Sequence, residues 1–244
     1  MTNVVVPLAA NLFFDSTEYF YPKPLIEVRG VPIIQHVIEG LKTLPSPRKF
    51  IFILNRNDDA RFHLQDTLRL VAGPQSEVVL LEGQSQGAVC SILMAVSHLR
   101  AYGSDPLVVA NGDQVLHVEL SQVVDDFKRR HLDAGVITFD SVHPRWSYVR
   151  LNSEGLIVEA AEKRPLSRHA VAGFYYFAEA DQFTQMAMKS IEKGAAVNGQ
   201  YYVAPVLNEY VLEDRRVGHY QIDNSRLRTF YSIQRIEEAQ REGI

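Results

Sequence analysis

Only one cysteine, Cys90, occurs in 244 residues. A single thiol builds neither a disulfide framework nor a thiolate metal cluster. Positive charge is not in excess either: 25 Lys and Arg face 29 Asp and Glu, a formal net charge of −4. Nucleic-acid binders carry a basic face, so nucleic acid is not an expected partner. No apolar run approaches the roughly 18 residues of a membrane span. Residues 1–10 have no basic stretch of the kind that opens a secretory leader, and Asp15 follows soon after. The eight histidines never adopt a metal-ligand spacing such as H-E-x-x-H. What remains is the expectation of a cytoplasmic protein without a membrane span.

The apolar content is ample. Hydrophobic residues make up 46% of the chain and aromatics 10%, enough for a packed core. Short, continuously apolar runs at 4–8, 50–54, 78–81 and 107–110 read as strands of a parallel sheet covered on both faces. Between them, 31–41, 58–71 and 88–99 carry helical periodicity. This alternation predicts a doubly wound α/β sheet. After Asp113 the rhythm changes to strands at 135–140, 147–151, 156–161 and 171–177, the middle two joined by the turn Asn152-Ser153-Glu154-Gly155. Helices return at 180–193, 201–212 and 233–241. No Pro/Gly/Ser-rich linker divides the chain, so a single domain over 1–244 is expected, with halves 1–117 and 118–244.

Ligands of open α/β sheets sit at the carboxyl ends of the strands, which focuses interest on four loops: 9–24, 55–58, 82–87 and 111–117. The first is long for a β-to-α connection. Near its end Pro22 and Pro24 flank Lys23, predicting an extended backbone that aims one ammonium group. Such a cation neutralises charge on a phosphoryl group; the alternative is a solvated lysine in a turn. In the third loop, Gly83-Gln84-Ser85-Gln86-Gly87 matches the G-x-S-x-G elbow of serine hydrolases, with Asp214 and His219 following in suitable order. No glycine-rich oxyanion loop precedes it. A ligand-facing amide loop at a helix start and a plain glycine turn are the other readings. In the fourth loop, Asn111-Gly112-Asp113 places a carboxylate just past a buried strand, a sound Mg²⁺ position, although the same residues make ordinary turns. Asn55, Asn57, Asp58 and Asp59 fit a helix cap better than a metal site. Cys90, on an apolar helix, is expected to be an inert core thiol.

In order and spacing these segments resemble the sugar-phosphate nucleotidyltransferases. The matching residues are 4–10, the run Pro22-Lys23-Pro24-Leu25 through Ile34, Gln86-Gly87-Ala88, Ala110-Asn111-Gly112-Asp113, Glu162-Lys163 and Ala172-Gly173-Phe174-Tyr175. The resemblance covers residues 1 to about 180, more loosely the rest, and is nearest to short members associated with bacterial capsule and surface-polysaccharide synthesis. It implies a three-layer α/β sandwich with a mostly parallel mixed sheet of the glycosyltransferase-A-like type. The first half would bind nucleotide through Leu8, Ala9, Ala10, Gln84, Gln86, Gly87, Ala88, Asn111 and Gly112. Lys23 and Asp113 would be catalytic, with Asp113 on Mg²⁺. In the acceptor half, Glu162, Lys163 and Gly173 would hold the sugar phosphate. The implied reaction moves a nucleoside monophosphate from a nucleoside triphosphate to a sugar phosphate or similar phospho-compound, with release of pyrophosphate.

Two places depart from that pattern. The family's opening loop is glycine-rich, whereas this chain reads Ala9-Ala10-Asn11-Leu12-Phe13-Phe14 and has no glycine before Gly30. Phenylalanines cannot cradle a phosphate as glycines do; stacking on a base is the contact open to them. Where relatives place a second metal carboxylate, this chain has Thr229-Phe230-Tyr231-Ser232, leaving Asp223 as the nearest substitute. The departures keep two other readings open: a glycosyltransferase that uses a nucleotide sugar, and a catalytically degenerate nucleotide-binding relative. The hydrolase at Ser85 is a minor alternative. A homodimer is the expected assembly, since closed homo-oligomers are common.

Overall fold

The computed structural model describes residues 1–9, 13–14, 20–98 and 103–243. The first half contains β1 (Thr2–Pro7), β2 (Glu27–Val28), β3 (Val31–Pro32), α1 (Ile33–Leu41), β4 (Arg48–Asn55), α2 (Arg56–Phe62), α3 (Leu64–Ala72), β5 (Glu77–Leu81), α4 (Ala88–His98) and β6 (Leu107–Ala110). There follow β7 (Gln114–Leu116), α5 (Leu120–Arg129), β8 (Ala134–Asp140), β9 (Ser147–Leu151), β10 (Ile157–Glu162) and β11 (His169–Phe177). The chain closes with α6 (Ala180–Glu192), α7 (Val203–Leu212), β12 (Val217–Gln221), β13 (Leu227–Thr229) and α8 (Ile233–Glu242).

The four apolar runs form the parallel order β6-β1-β4-β5. They are apolar on both faces because helices cover both. Val4 and Val6 face the layer of α1, α3, α5 and α8, whereas Val5 faces α4, α6 and α7, and all three are sealed from solvent. β11 then lies antiparallel to β6 on one edge and to β8 on the other, and β12 adds in parallel beyond β8. Of the nine strands, seven run one way and only β10 and β11 run the other. The result is the three-layer α/β arrangement with a mostly parallel mixed sheet, and that sheet passes through both halves of the chain.

β11 changes neighbour along its length. Phe174–Phe177 pair with β6, but Ala170 pairs with Tyr148 of β9. The switch falls at a register shift between Val171 and Tyr175, where Gly173 takes φ +65°. That left-handed conformation favours glycine and marks a bulge. The bulge lets the β9–β10 hairpin project past the end of β6. Its turn is closed by Asn152, whose Oδ1 accepts from the Glu154 and Leu156 amides at 3.0 and 2.9 Å. On the outer side of β10, the Asn208 amide of α7 accepts from Ala160 N at 2.8 Å and donates to Ala160 O at 2.9 Å.

Several elements differ from expectation. The helix expected over 58–71 is two helices, broken where His63 adopts φ +52°. Asn55 does cap the first of them, its Oδ1 accepting from Asn57 N at 2.9 Å. The helix expected from 201 begins at Val203, because Tyr202 is extended. The helix expected over 88–99 runs Ala88–His98, and Leu99 lies outside the described residues. α5, with Leu120, Val123, Val124 and Phe127 buried on one face, and the edge strand β12 were not anticipated. No described helix is long and apolar enough to cross a membrane.

On β12, His219 Nδ1 lies 2.8 Å from Thr138 Oγ1, and its ring sits 5.1 Å from that of His169. Burial, then the charges of His169 and Arg130, push its pKa down to about 4. A histidine depressed in the fold binds protons more readily when unfolded, so its contribution is lost as pH falls from the unfolded value near 6.5 through about 4. The unfolding free energy measured by urea titration should therefore drop across that window by about 1–2 kcal/mol, after discounting for partial exposure. His219→Gln should flatten the slope; an unchanged slope would show that other groups govern it.

Candidate active site

A cavity of about 380 Å³ opens at the carboxyl ends of β1 and β6. Its size is ordinary for a small-molecule site, and its place is where open α/β sheets bind ligands. The end of β1 supplies Leu8 and Ala9, and the loop after β6 supplies Asn111, Gly112, Asp113 and Gln114. Gly112 packs closely on Leu8: a Cβ there would stand 2.3 Å from Leu8 Cδ2. Lys23 and Pro24 form one wall and Ala88 with Ser91, at the start of α4, another. The far end is made by Glu162 and Lys163 at the end of β10, with Gly173 and Tyr175 of β11. Thus ten of the residues singled out in the sequence, from Leu8 to Gly173, meet in one cavity.

Lys23 is not in the extended form that its two prolines predicted. Pro22 is extended, but Lys23–Leu25 make a 3-10 turn, with Leu25 N donating to Pro22 O at 2.9 Å. The fixed φ of Pro24 suits such a turn as well as an extended chain. The Lys23 ammonium rests 4.7 Å from the centre of the Phe14 ring. Opposite stands Asp113, whose carboxyl is pushed up by burial and pulled back by the Lys23 charge. Asp113 O also accepts from Phe230 N at 2.9 Å, which draws the segment before α8 to the cavity.

At the far end Ser147 donates its hydroxyl to Glu162, and Lys163 donates to the Tyr202 hydroxyl at 2.7 Å. Burial pushes the Glu162 carboxyl up, against the Ser147 hydrogen bond and the Lys163 charge. Tyr175 is pushed up as well, by burial and then by the Glu162 carboxylate. Gly173 lies hard against two side-chain amides: a Cβ would meet Gln114 Oε1 at 2.1 Å and Asn111 Nδ2 at 2.6 Å. Gln114 Oε1 is buried and has no hydrogen-bond partner among the described residues.

Other expected residues stand elsewhere. Gln84 and Gln86 are exposed, and with Gly87 they lie outside the cavity lining. Their loop is tied to the chain before α7, since Tyr201 N donates to Gln86 O at 2.7 Å and Val89 N to Tyr201 O at 3.1 Å. Ala10 lies outside the described residues. Phe13 packs toward Phe62, with ring centres 5.6 Å apart, and not into the cavity. Asp223 does not join Asp113. Its carboxylate caps the turn Asn224–Arg226, accepting from Ser225 N at 2.8 Å and Ser225 Oγ at 2.6 Å.

Ser85 has the surroundings of a structural hydroxyl. Its Oγ donates to Gly87 O at 3.0 Å and meets Ser91 Oγ at 2.6 Å, while His219 is engaged on β12. A fluorophosphonate probe should leave the protein unlabelled, and Ser85→Ala should alter ligand affinity by no more than about 1 kcal/mol, one neutral hydrogen bond. Stoichiometric labelling that His219→Ala abolishes would make Ser85 a nucleophile after all.

Sequence reasoning missed Arg145, Trp146, Tyr202 and Tyr231, which also line the cavity. Only Tyr231 left a signal, as the residue standing near the expected second carboxylate.

Comparison with known proteins bears on descent and on the fold. The family model described as nucleotidyl transferase matches residues 18–219. A curated relative, the bifunctional protein GlmU of Streptococcus pyogenes serotype M28, is 25% identical over 228 residues, covering 90% of this chain and 47% of that protein. The chain spans about half the length of the curated relatives it matches. Among solved structures, a nucleoside-diphosphate-sugar pyrophosphorylase from Vibrio cholerae RC9 superposes with a TM-score of 0.82 at 17% identity, over 99% of this chain and 100% of that one. A UDP-glucose pyrophosphorylase complexed with UDP-glucose gives 0.75 at 16%, over 99% and 97%. The structural likenesses speak for the fold. The sequence match, running from before Lys23 to beyond Glu162, speaks for descent, and the chain belongs to the nucleotidyl transferase family.

Proposed function

We propose that this chain transfers a nucleoside monophosphate from a nucleoside triphosphate to a sugar phosphate or similar phospho-compound, releasing pyrophosphate. One observation carries the reading: two charged couples, Lys23 with Asp113 and Glu162 with Lys163, line a single cavity at the sheet's carboxyl edge. An acceptor phosphate oxygen attacks the α-phosphorus in line. The new P–O bond forms as the bond to the bridging oxygen breaks, and pyrophosphate leaves with that electron pair. No proton need move, so the protein's task is positioning and neutralisation. Lys23 offsets charge on the leaving phosphates. Glu162 accepts hydrogen bonds from acceptor hydroxyls, and Lys163 holds the acceptor phosphate.

Magnesium fits as an ion that enters with the triphosphate. Asp113 offers one carboxylate, and among the described residues no three His, Cys, Asp or Glu side chains gather to hold a metal unaided. Mg²⁺ commonly takes one or two carboxylates and completes its shell with water and phosphate oxygens. Held at Asp113, it would supply further neutralisation of the phosphate oxygens. The product would be an activated sugar, with surface-polysaccharide assembly as its use.

Pyrophosphate release measured over four nucleoside triphosphates and a set of sugar 1-phosphates tests the reaction. Turnover with one pair supports it, and silence across the set counts against it. Calorimetric preference for nucleoside diphosphate sugars over triphosphates would replace it with glycosyl transfer.

A further inference from the structure

Two cations share one end of the β9–β10 hairpin. Ser147 pairs with Glu162 at the mouth of the hairpin, and just beyond it Lys163 N donates to Trp146 O at 3.1 Å. Arg145 and Lys163 therefore leave adjacent strand ends together, and both line the cavity. Each lies on a tyrosine. The Lys163 ammonium is 4.8 Å from the centre of the Tyr202 ring, and the Arg145 guanidinium carbon is 3.7 Å from that of Tyr231. Neither forms an ion pair with a carboxylate among the described residues. Arg145 Nε donates to His143 Nδ1 at 3.2 Å, while its two Nη groups have no partner there.

The Tyr231 ring is itself held. Trp146 meets it edge-on at 5.7 Å, and Arg235 Nε donates to its hydroxyl at 3.3 Å. A guanidinium stacked on a fixed ring keeps its plane and presents its free N–H groups in one direction. The two couples already assigned, Lys23–Asp113 and Glu162–Lys163, balance in charge. Among the described residues that line the cavity, Arg145 is the cation left without a matching carboxylate.

We propose that Arg145, carried on Tyr231, is a specificity residue that binds the phosphate of the acceptor beside Lys163. The proposal deepens the reading above and rests on it for the identity of the ligand. A planar fork matches two phosphate oxygens, where an ammonium alone is a point charge. Because the fork is stacked before the ligand arrives, little further ordering is needed on binding. An acceptor carrying a phosphomonoester gains from both cations, and a neutral sugar gains from neither.

Phenylglyoxal labelling of the intact chain, read by peptide mapping, tests the receptor without turnover. Inorganic phosphate should slow modification of Arg145 roughly tenfold and leave the exposed Arg69 unaffected. With a sugar 1-phosphate that turns over, Arg145→Gln should raise the acceptor KM roughly tenfold while the triphosphate KM stays within about twofold. Arg145→Lys should recover only part of the loss. Unprotected labelling at Arg145, or a rise in both KM values alike, would overturn the proposal. Protection by phosphate in a chain that turns over no triphosphate would keep the receptor and discard the nucleotidyltransferase reading.

Discussion

Asp113→Ala should lower pyrophosphate release by about 10²-fold or more, with the triphosphate still bound. The carboxylate is where the proposed charge chemistry concentrates, and no described acidic side chain stands ready to replace it. Asp223 caps its own turn, and Glu162 is held by Ser147. Asp113→Asn keeps the shape and removes the charge, so it should be almost as damaging. The pH profile gives an independent check. Burial raises both Asp113 and Glu162, so each stays protonated to a higher pH than an ordinary carboxylate. The acid limb of kcat/KM should then begin above the usual carboxylate range near 4. Full activity in the Asp113 variants would remove that residue from the chemistry.

Gly87→Ala should destabilise the fold by about 2–3 kcal/mol, seen as a lower urea midpoint with an unchanged slope. Two causes add. Gly87 has φ +111°, and a Cβ there would stand 2.5 Å from Tyr201 O and 2.6 Å from Tyr201 N. Those are backbone atoms, already fixed by hydrogen bonds from Tyr201 N to Gln86 O and from Val89 N to Tyr201 O. Something rigid must move. Gly30 is the control, since its φ is +78° but nothing lies within 4 Å of a Cβ. Gly30→Ala should cost about 1 kcal/mol, conformational strain alone. Equal losses at the two sites would mean that the Tyr201 contact carries no weight.

This contact also explains a limit of sequence reading. Gln84 through Gly87 look like a ligand loop because they follow a strand and precede a helix. That pattern does not encode the partner more than a hundred residues away that binds the loop's backbone. The central strands were legible because burial on both faces leaves an unbroken apolar run, as at Val4–Val6. Asp113 was legible for a related reason: a charge just past such a run has only the sheet's edge to occupy. β12 was not, because Gly218, His219 and Tyr220 mix polarity on an edge strand whose register comes from β8. The break at His63 was hidden too, since it rests on one residue's left-handed backbone. α5 was a different matter. Leu120, Val123, Val124 and Phe127 display the helical spacing openly, within a stretch otherwise rich in strands. Arg145 had no local signature at all. Its significance comes from Tyr231, brought beside it by the pairing of β13 with β7.

The amide of Asn208 has a consequence beyond local order. β10 ends the sheet, and an uncovered terminal strand offers its N–H and C=O groups as a template for other chains. By answering both polar groups of Ala160, Asn208 acts as a one-residue imitation of the next strand. The hairpin that carries Glu162 and Lys163 can thus stand out from the sheet without becoming adhesive. Colloidal restraint and ligand contact are met by the two ends of one strand.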